Sequence, residues 1–296
     1  MTNIRKITLG LALILGLSSC GANKANEESS NNQENDVKTS ESTSEDPFKD
    51  KDVIKLGVVG ENNEIWEDVA KRFEEGEGKK IEIVTFSEYR EPNEALLSGD
   101  IDINAFQHKK FLEDFNTASS SDLVSIGDTL IAPLGIYSSK IKSLDELKDN
   151  SKIAIPDDPT NGARSLFLLQ SAGLIKVNGK EGDAITINDI TENPHNYEIV
   201  ELSAAQTARS LDDVDIAVVN SGMAVDAGFI PTEDSIYLED YKDENKQIYV
   251  NIIACKKENA NSQTLKDLVE KYYQTKETAK VIDESSKGSY VPAFEY

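Results

Sequence analysis

The stretch from Ile153 to Gly173 constrains this chain most. Ile153-Ala-Ile155 reads as a short buried strand, Pro156 to Pro159 as a tight loop, and the residues beyond as a helix that Gly173 stops. Thr160 and Asn161 are suitable N-cap residues, and Leu166, Phe167, Leu169 and Ala172 supply an apolar face. Strand, loop and helix in that order make the repeating unit of an α/β sheet. Arg164 is the odd member, because a cation in the first turn opposes the helix dipole. Two readings stay open. Free backbone N–H groups and a guanidinium form a site for an anion such as a carboxylate; alternatively Arg164 pairs with Asp157 or Asp158.

The same alternation runs along most of the chain. Strands are expected at 53–59, 80–86, 101–105 and 130–137, with helices at 64–75, closed by Gly76, and 92–98. Behind Ser143 the pattern restarts, with strands at 152–155, 197–201 and 214–219 and helices at 163–172 and 204–211. A strand at 248–255 and helices at 262–273 and 275–284 complete it. Such alternation implies parallel βαβ units with helices on both faces. Two successive α/β patterns with a helical tail fit two lobes better than one sheet.

Ligands of open α/β sheets bind beyond the carboxyl ends of strands. That rule selects Tyr89, Asn104, Phe106, His108, Tyr137, Asn161, Arg164 and Asn220. Arginine for a carboxylate, amide oxygens for an ammonium and aromatic faces suit a zwitterion with an apolar side chain. Each residue has a plainer role open to it. Phe106 and Tyr137 fit a core, His108 fits a structural donor, and Asn104 and Asn220 fit turns.

Charge and rare residues exclude other classes. A net charge of −23 leaves no basic surface for nucleic acid. Two histidines and two cysteines are too few for a metal site or a disulfide framework, and Cys255 fits a small core residue. No P-loop, dinucleotide fingerprint or nucleophile elbow appears, so neither cofactor nor catalysis is expected. Arg5 and Lys6 precede an apolar run, Ile7 to Leu17, that is too short for a permanent span. It ends in Leu17-Ser18-Ser19-Cys20, which resembles the lipobox of bacterial lipoproteins. This implies a signal peptide over 1–19, acylation of Cys20, and anchorage to the bilayer. Residues 20–50 are polar enough to be a disordered tether.

Several longer motifs carry a family likeness. Ser98-Gly-Asp-Ile-Asp-Ile-Asn-Ala-Phe-Gln-His108, Gly135-Ile-Tyr-Ser138, Ile155-Pro-Asp-Asp-Pro-Thr-Asn161, Glu201-Leu-Ser-Ala-Ala-Gln206, Asp213-Val-Asp-Ile-Ala-Val-Val-Asn220 and Val291-Pro-Ala293 resemble those of the NlpA family of methionine-binding lipoproteins. The resemblance spans about residues 53 to 296. It implies a two-lobed periplasmic-binding-protein fold (type II-like), with a hinge and an interlobe cleft. Lobe 1 would comprise 51–139 and 249–296, and lobe 2 would comprise 140–248. The crossings would lie near Tyr137 to Lys142 and Asp240 to Ile248. By the same likeness Arg164 would hold a ligand carboxylate, and Asn161 and Asn220 its other polar groups. Tyr89, Phe106, His108 and Tyr137 would line a side-chain pocket. The implied function is capture of L-methionine, a related amino acid or a methionine-containing dipeptide, outside the cytoplasm, for an ABC-transporter permease in the membrane.

Two departures stand out. Where the family commonly has Asn-Gly-Asn-Tyr-Ala, this chain has Asn220-Ser221-Gly222-Met223-Ala224, and Gly60-Glu61-Asn62-Asn63 replaces a Gly-Pro-His-like loop. Other readings are a surface lipoprotein acting mainly through a protein partner, and an enzyme using His108 as base.

Overall fold

The computed structural model describes residues 46–242 and 244–296. The signal segment, Cys20 and most of the expected tether lie outside the described residues. Strand β1 (Val53–Val59) leads to helix α1 (Glu64–Glu77), β2 (Lys80–Phe86), α2 (Glu91–Ser98), β3 (Ile103–Asn104), α3 (Lys109–Ser119) and β4 (Val124–Ile131). The chain then enters a second sheet through β5 (Gly135–Tyr137) and β6 (Lys152–Pro156). Helix α4 (Pro159–Ser171), a β7–β8 hairpin (Lys176–Val177, Ile190–Glu192), β9 (Glu198–Leu202) and α5 (Ala204–Thr207) follow. Then come β10 (Ile216–Val219), α6 (Ser221–Asp226), α7 (Pro231–Asp234) and β11 (Tyr237–Leu238). The return adds β12 (Val250–Cys255), α8 (Gln263–Asp267) with a π-helical extension to Tyr273, α9 (Lys276–Ser286) and β13 (Val291–Pro292).

Two sheets make the two lobes. One has the order β13-β4-β12-β3-β1-β2, the other β11-β5-β10-β6-β9. Each is parallel toward one edge, β1 with β2 and β3, and β6 with β9 and β10. Neither is all parallel, because chain crossing between lobes re-enters each sheet antiparallel, as β5 beside β10 and β12 beside β3 and β4. The expected strand over 130–137 is therefore two strands, and the first crossing is residues 132–134, ahead of Tyr137. The boundary drawn at residue 140 moves accordingly.

Local chemistry accounts for the elements. In β1, Ile54, Leu56 and Val58 are buried on one face, as period-2 patterning requires. Gly57 lies between them because a Cβ there would meet Ile101 Cδ1 at 2.5 Å. Helix α1 buries Trp66, Val69 and Phe73, leaving Ile65 half-buried, and it runs past Gly76 to end at Gly78 with φ +68°. Gly76 is small for another reason: a Cβ there would collide with the Tyr272 ring. The packed structure also starts before residue 51. Phe48 is buried in the lobe 1 core, and Asp46 accepts hydrogen bonds from Thr264 N–H and Oγ1, both at 2.8 Å. Among so many polar neighbours, one aromatic residue is too small a signal to mark the start of a fold.

Candidate functional site

A cavity of about 160 Å³ lies between the lobes. The end of β1, the loop before α3 and the C-terminal elements wall it on one side; α4 and α6 wall it on the other. Contacts beside it hold the lobes together. Thr160 Oγ1 on α4 donates to Asp114 on α3 at 2.9 Å. Asp226 at the end of α6 accepts from the backbone N–H groups of Glu61 and Asn62, each at 3.1 Å. Gly60, at φ +93°, is needed there because a Cβ would strike the Asp226 carboxylate.

Six of the eight candidate residues line the cavity: Tyr89, Phe106, His108, Asn161, Arg164 and Asn220. Asn104 does not. It is fully buried behind the wall, where its Nδ2 donates to Asn93 at 2.9 Å and its Oδ1 accepts from Gln107 at 2.9 Å. Asn93 and Gln107 complete that group with mutual bonds of 2.8 and 2.7 Å. Tyr137 is not on the cavity either. It sits in the lobe 2 core beside Phe229, ring centroids 5.3 Å apart, because β5 belongs to the second sheet.

Arg164 lies in the second turn of α4, not the first. The N-cap is Asp158, whose side chain accepts from Asn161 N–H at 2.9 Å, and Pro159 opens the helix. Arg164 pairs with neither Asp157 nor Asp158. Its partner is Glu239, which accepts from Nε at 3.1 Å and from Nη2 at 2.5 Å, both side chains being almost fully buried. Nη2 also donates to the Ala132 carbonyl, and the guanidinium lies 4.1 Å from the centre of the Tyr249 ring. Nη1 has no hydrogen bond among the described residues. Burial by itself would raise the Glu239 pKa, but the Arg164 and Lys246 charges hold it down at about 2. Glu239 follows a short edge strand 75 residues away, so no local spacing flagged it.

The amides are oriented in series. Asp158 accepts from Asn161 Nδ2, which turns Asn161 Oδ1 toward Asn220 Nδ2 at 3.0 Å. That leaves Asn220 Oδ1 buried, without a partner among the described residues. Burial raises the Asp158 pKa.

His108 caps α3, its Nδ1 accepting from Phe111 N–H at 3.1 Å. Burial, aided by the Arg164 charge, pushes its pKa down to about 3, so the ring is neutral with its proton on Nε2. Nε2 makes no hydrogen bond of normal geometry among the described residues, although the Asn161 side chain is near enough to favour the protonated ring against the effect of burial. The ring lone pair is used, so what His108 offers is a donor and not a base. Aromatic rings complete the wall, with Phe106 at 6.1 Å from Tyr89 and 5.8 Å from Phe111 between centroids. Trp66, Tyr273 and Tyr290 also line it and were not among the candidates; Tyr273 and Tyr290 arrive on the C-terminal return.

The His108 shift has a consequence for stability. Unfolded, the ring takes up a proton near pH 6.5, whereas folded it does so only near pH 3. The unfolded state therefore binds more protons in that window, and stability falls as pH is lowered from about 6.5 toward 3. The slope is at most about 1.4 kcal/mol per pH unit. Denaturant titrations at pH 6.5 and pH 5 should show the loss, and His108→Gln should flatten it.

Among the described residues no group of three or more His, Cys, Asp or Glu is placed to hold a metal. Burial pushes the Cys255 thiol up to about 12, which leaves it unreactive at neutral pH.

Comparison with known proteins agrees with this geometry. The D-methionine-binding lipoprotein MetQ of Salmonella typhimurium is 48% identical over 227 residues, covering 76% of this chain and 82% of that protein. A nutrient-binding protein from Burkholderia cenocepacia, solved bound to methionine, is 41% identical with a TM-score of 0.77 over 81% of this chain and all of that one. Protein PG110 from Staphylococcus aureus is 40% identical with a TM-score of 0.78, covering 82% and 95% of the two chains. These likenesses give the chain the two-lobed fold of substrate-binding proteins. The NlpA lipoprotein model matches residues 54–294, from the first strand of lobe 1 to beyond the last, and the chain belongs to that family.

Proposed function

We propose that this protein is the lipid-anchored substrate-binding component of an ABC importer and that it captures L-methionine or a close relative between its lobes. One observation carries the reading. Three polar atoms with no hydrogen bond of normal geometry among the described residues, Arg164 Nη1, His108 Nε2–H and Asn220 Oδ1, belong to residues around one aromatic-lined cavity. Two donors and an acceptor complement a carboxylate and an ammonium, and the rings of Phe106, Tyr89 and Phe111 suit a thioether chain. Arg164 takes the carboxylate, and Asn220, oriented by Asn161, takes the ammonium. Capture works without chemistry, by favouring the closed arrangement that a membrane permease receives. Acylated Cys20 holds the protein at the membrane on the extracytoplasmic side.

Native mass spectrometry of the purified protein tests this. The expected result is a bound mass equal to methionine, or one that appears on its addition. No complex with any amino acid or peptide would overturn the reading and favour a lipoprotein acting through a protein partner.

A methionine-containing dipeptide is the second reading, and Gly222 favours it. Gly222 lines the cavity, and a Cβ placed on it would have no heavy atom within 4 Å. Gly222→Asn should therefore fold with an unchanged melting temperature while narrowing the cavity. If a dipeptide is the ligand, its affinity should drop roughly tenfold or more, while L-methionine is less affected. Calorimetry with both ligands distinguishes the two.

A further inference from the structure

Glu239 does more than hold Arg164. Its carboxylate accepts from Leu134 N–H at 3.0 Å, in the first crossing between lobes, and it stands at the start of the second. Lys246 Nζ, also in the second crossing, lies 3.1 Å from Glu239 and 2.9 Å from Glu181. Glu181 in turn accepts from the Tyr249 hydroxyl at 2.7 Å. Two cations and two carboxylates thus form one largely buried cluster with no net charge.

We propose that Glu239 sets the charge preference of the site: by balancing Arg164 within a neutral cluster, it makes the cleft select a zwitterion over a monoanion with the same side chain. This rests on the methionine reading. A zwitterion brings no net charge into the cluster, whereas a monoanion adds a negative charge that no cation in it offsets. Unbalanced charge in a desolvated site is costly. With Glu239 neutralised the cluster becomes cationic, and the monoanion becomes the ligand that balances it. Asp226 also lines the cleft and Asp158 lies behind Asn161, but both are the same in every comparison and cancel from a ratio.

The test is calorimetry of the full protein and its variants with L-methionine and with the corresponding 2-oxo acid, which keeps carboxylate and thioether and lacks the ammonium. Wild type should prefer L-methionine. In Glu239→Gln the preference should shrink about tenfold or more, the scale of one unit charge at partly buried range. In Lys246→Met, where the cluster turns anionic, the preference should grow. In Glu239→Asp it should stay within about threefold, since the charge is kept. A purely structural Glu239 would move both affinities by one factor, and an unchanged ratio in the Gln and Met variants would overturn the proposal. Should Glu239→Gln fail to fold, Lys246→Met decides alone, because a structural role gives it no reason to favour one ligand. If wild type binds neither ligand, the methionine reading falls, and this proposal with it.

Discussion

Arg164→Ala is expected to lower ligand affinity by about 3–5 kcal/mol, roughly two to four orders of magnitude in Kd. The side chain is almost fully buried, and two of its three nitrogens are committed to Glu239 and Ala132. That leaves one N–H edge, on an almost fully buried side chain, to meet a carboxylate. Removing it strands the ligand's carboxylate, and an unpaired buried charge costs more than the pair was worth. The same change leaves Glu239 with Lys246 as its remaining ion-pair partner, so the melting temperature should fall as well. Arg164→Lys separates charge from shape. Its ammonium cannot fork between Glu239 and a ligand, so binding should recover only in part. Calorimetry with parallel melting curves checks both effects, and wild-type affinity in a folded Ala variant would remove Arg164 from the carboxylate role.

Asn93→Leu is expected to cost about 2–4 kcal/mol of stability and to weaken binding with it. Asn93 is completely buried and touches no ligand surface, yet it exchanges two bonds with Gln107 and accepts one from Asn104. Leucine fills similar space but leaves both amides short of a partner in a dry site. Gln107 lies between Phe106 and His108, and its carbonyl accepts from Ile252 N–H at 2.9 Å, pinning that loop to β12. Freeing the amide should loosen both cavity residues at once. Urea titration reads the stability, and calorimetry at a temperature where the variant is folded reads the binding. A variant as stable as wild type would show that the amide group is not needed to hold the loop.

Residues near one another in sequence were the legible ones. The strand-loop-helix around Arg164 and the strand-end placement of Phe106, His108 and Asn220 all follow from patterns a few residues long, whereas the helix that His108 caps was not read from the sequence. Asn104 and Tyr137 show the limit of that rule. Both sit at strand ends, but a strand end has two sides. Asn104 turns inward to an amide partner 11 residues back, and Tyr137 turns into a core made mostly by residues between Ala204 and Phe229. Sequence alternation could not give the side, since it depends on which sheet the strand joins.

From sequence alone come the α/β class, the two-part pattern, an acidic surface unsuited to nucleic acid, and most of the groups that meet at the cleft. Short-range periodicity and capping chemistry are local, and the residues that produce them are adjacent in the chain. Tertiary structure alone decided the partner of Arg164, the orphaned atoms of His108 and Asn220, and the place where the chain changes lobes. Each depends on segments far apart in sequence brought together by packing, and Glu239 beside Arg164 is the clearest case. Nothing within either segment reports the other, and only the fold puts their charges in one dry site.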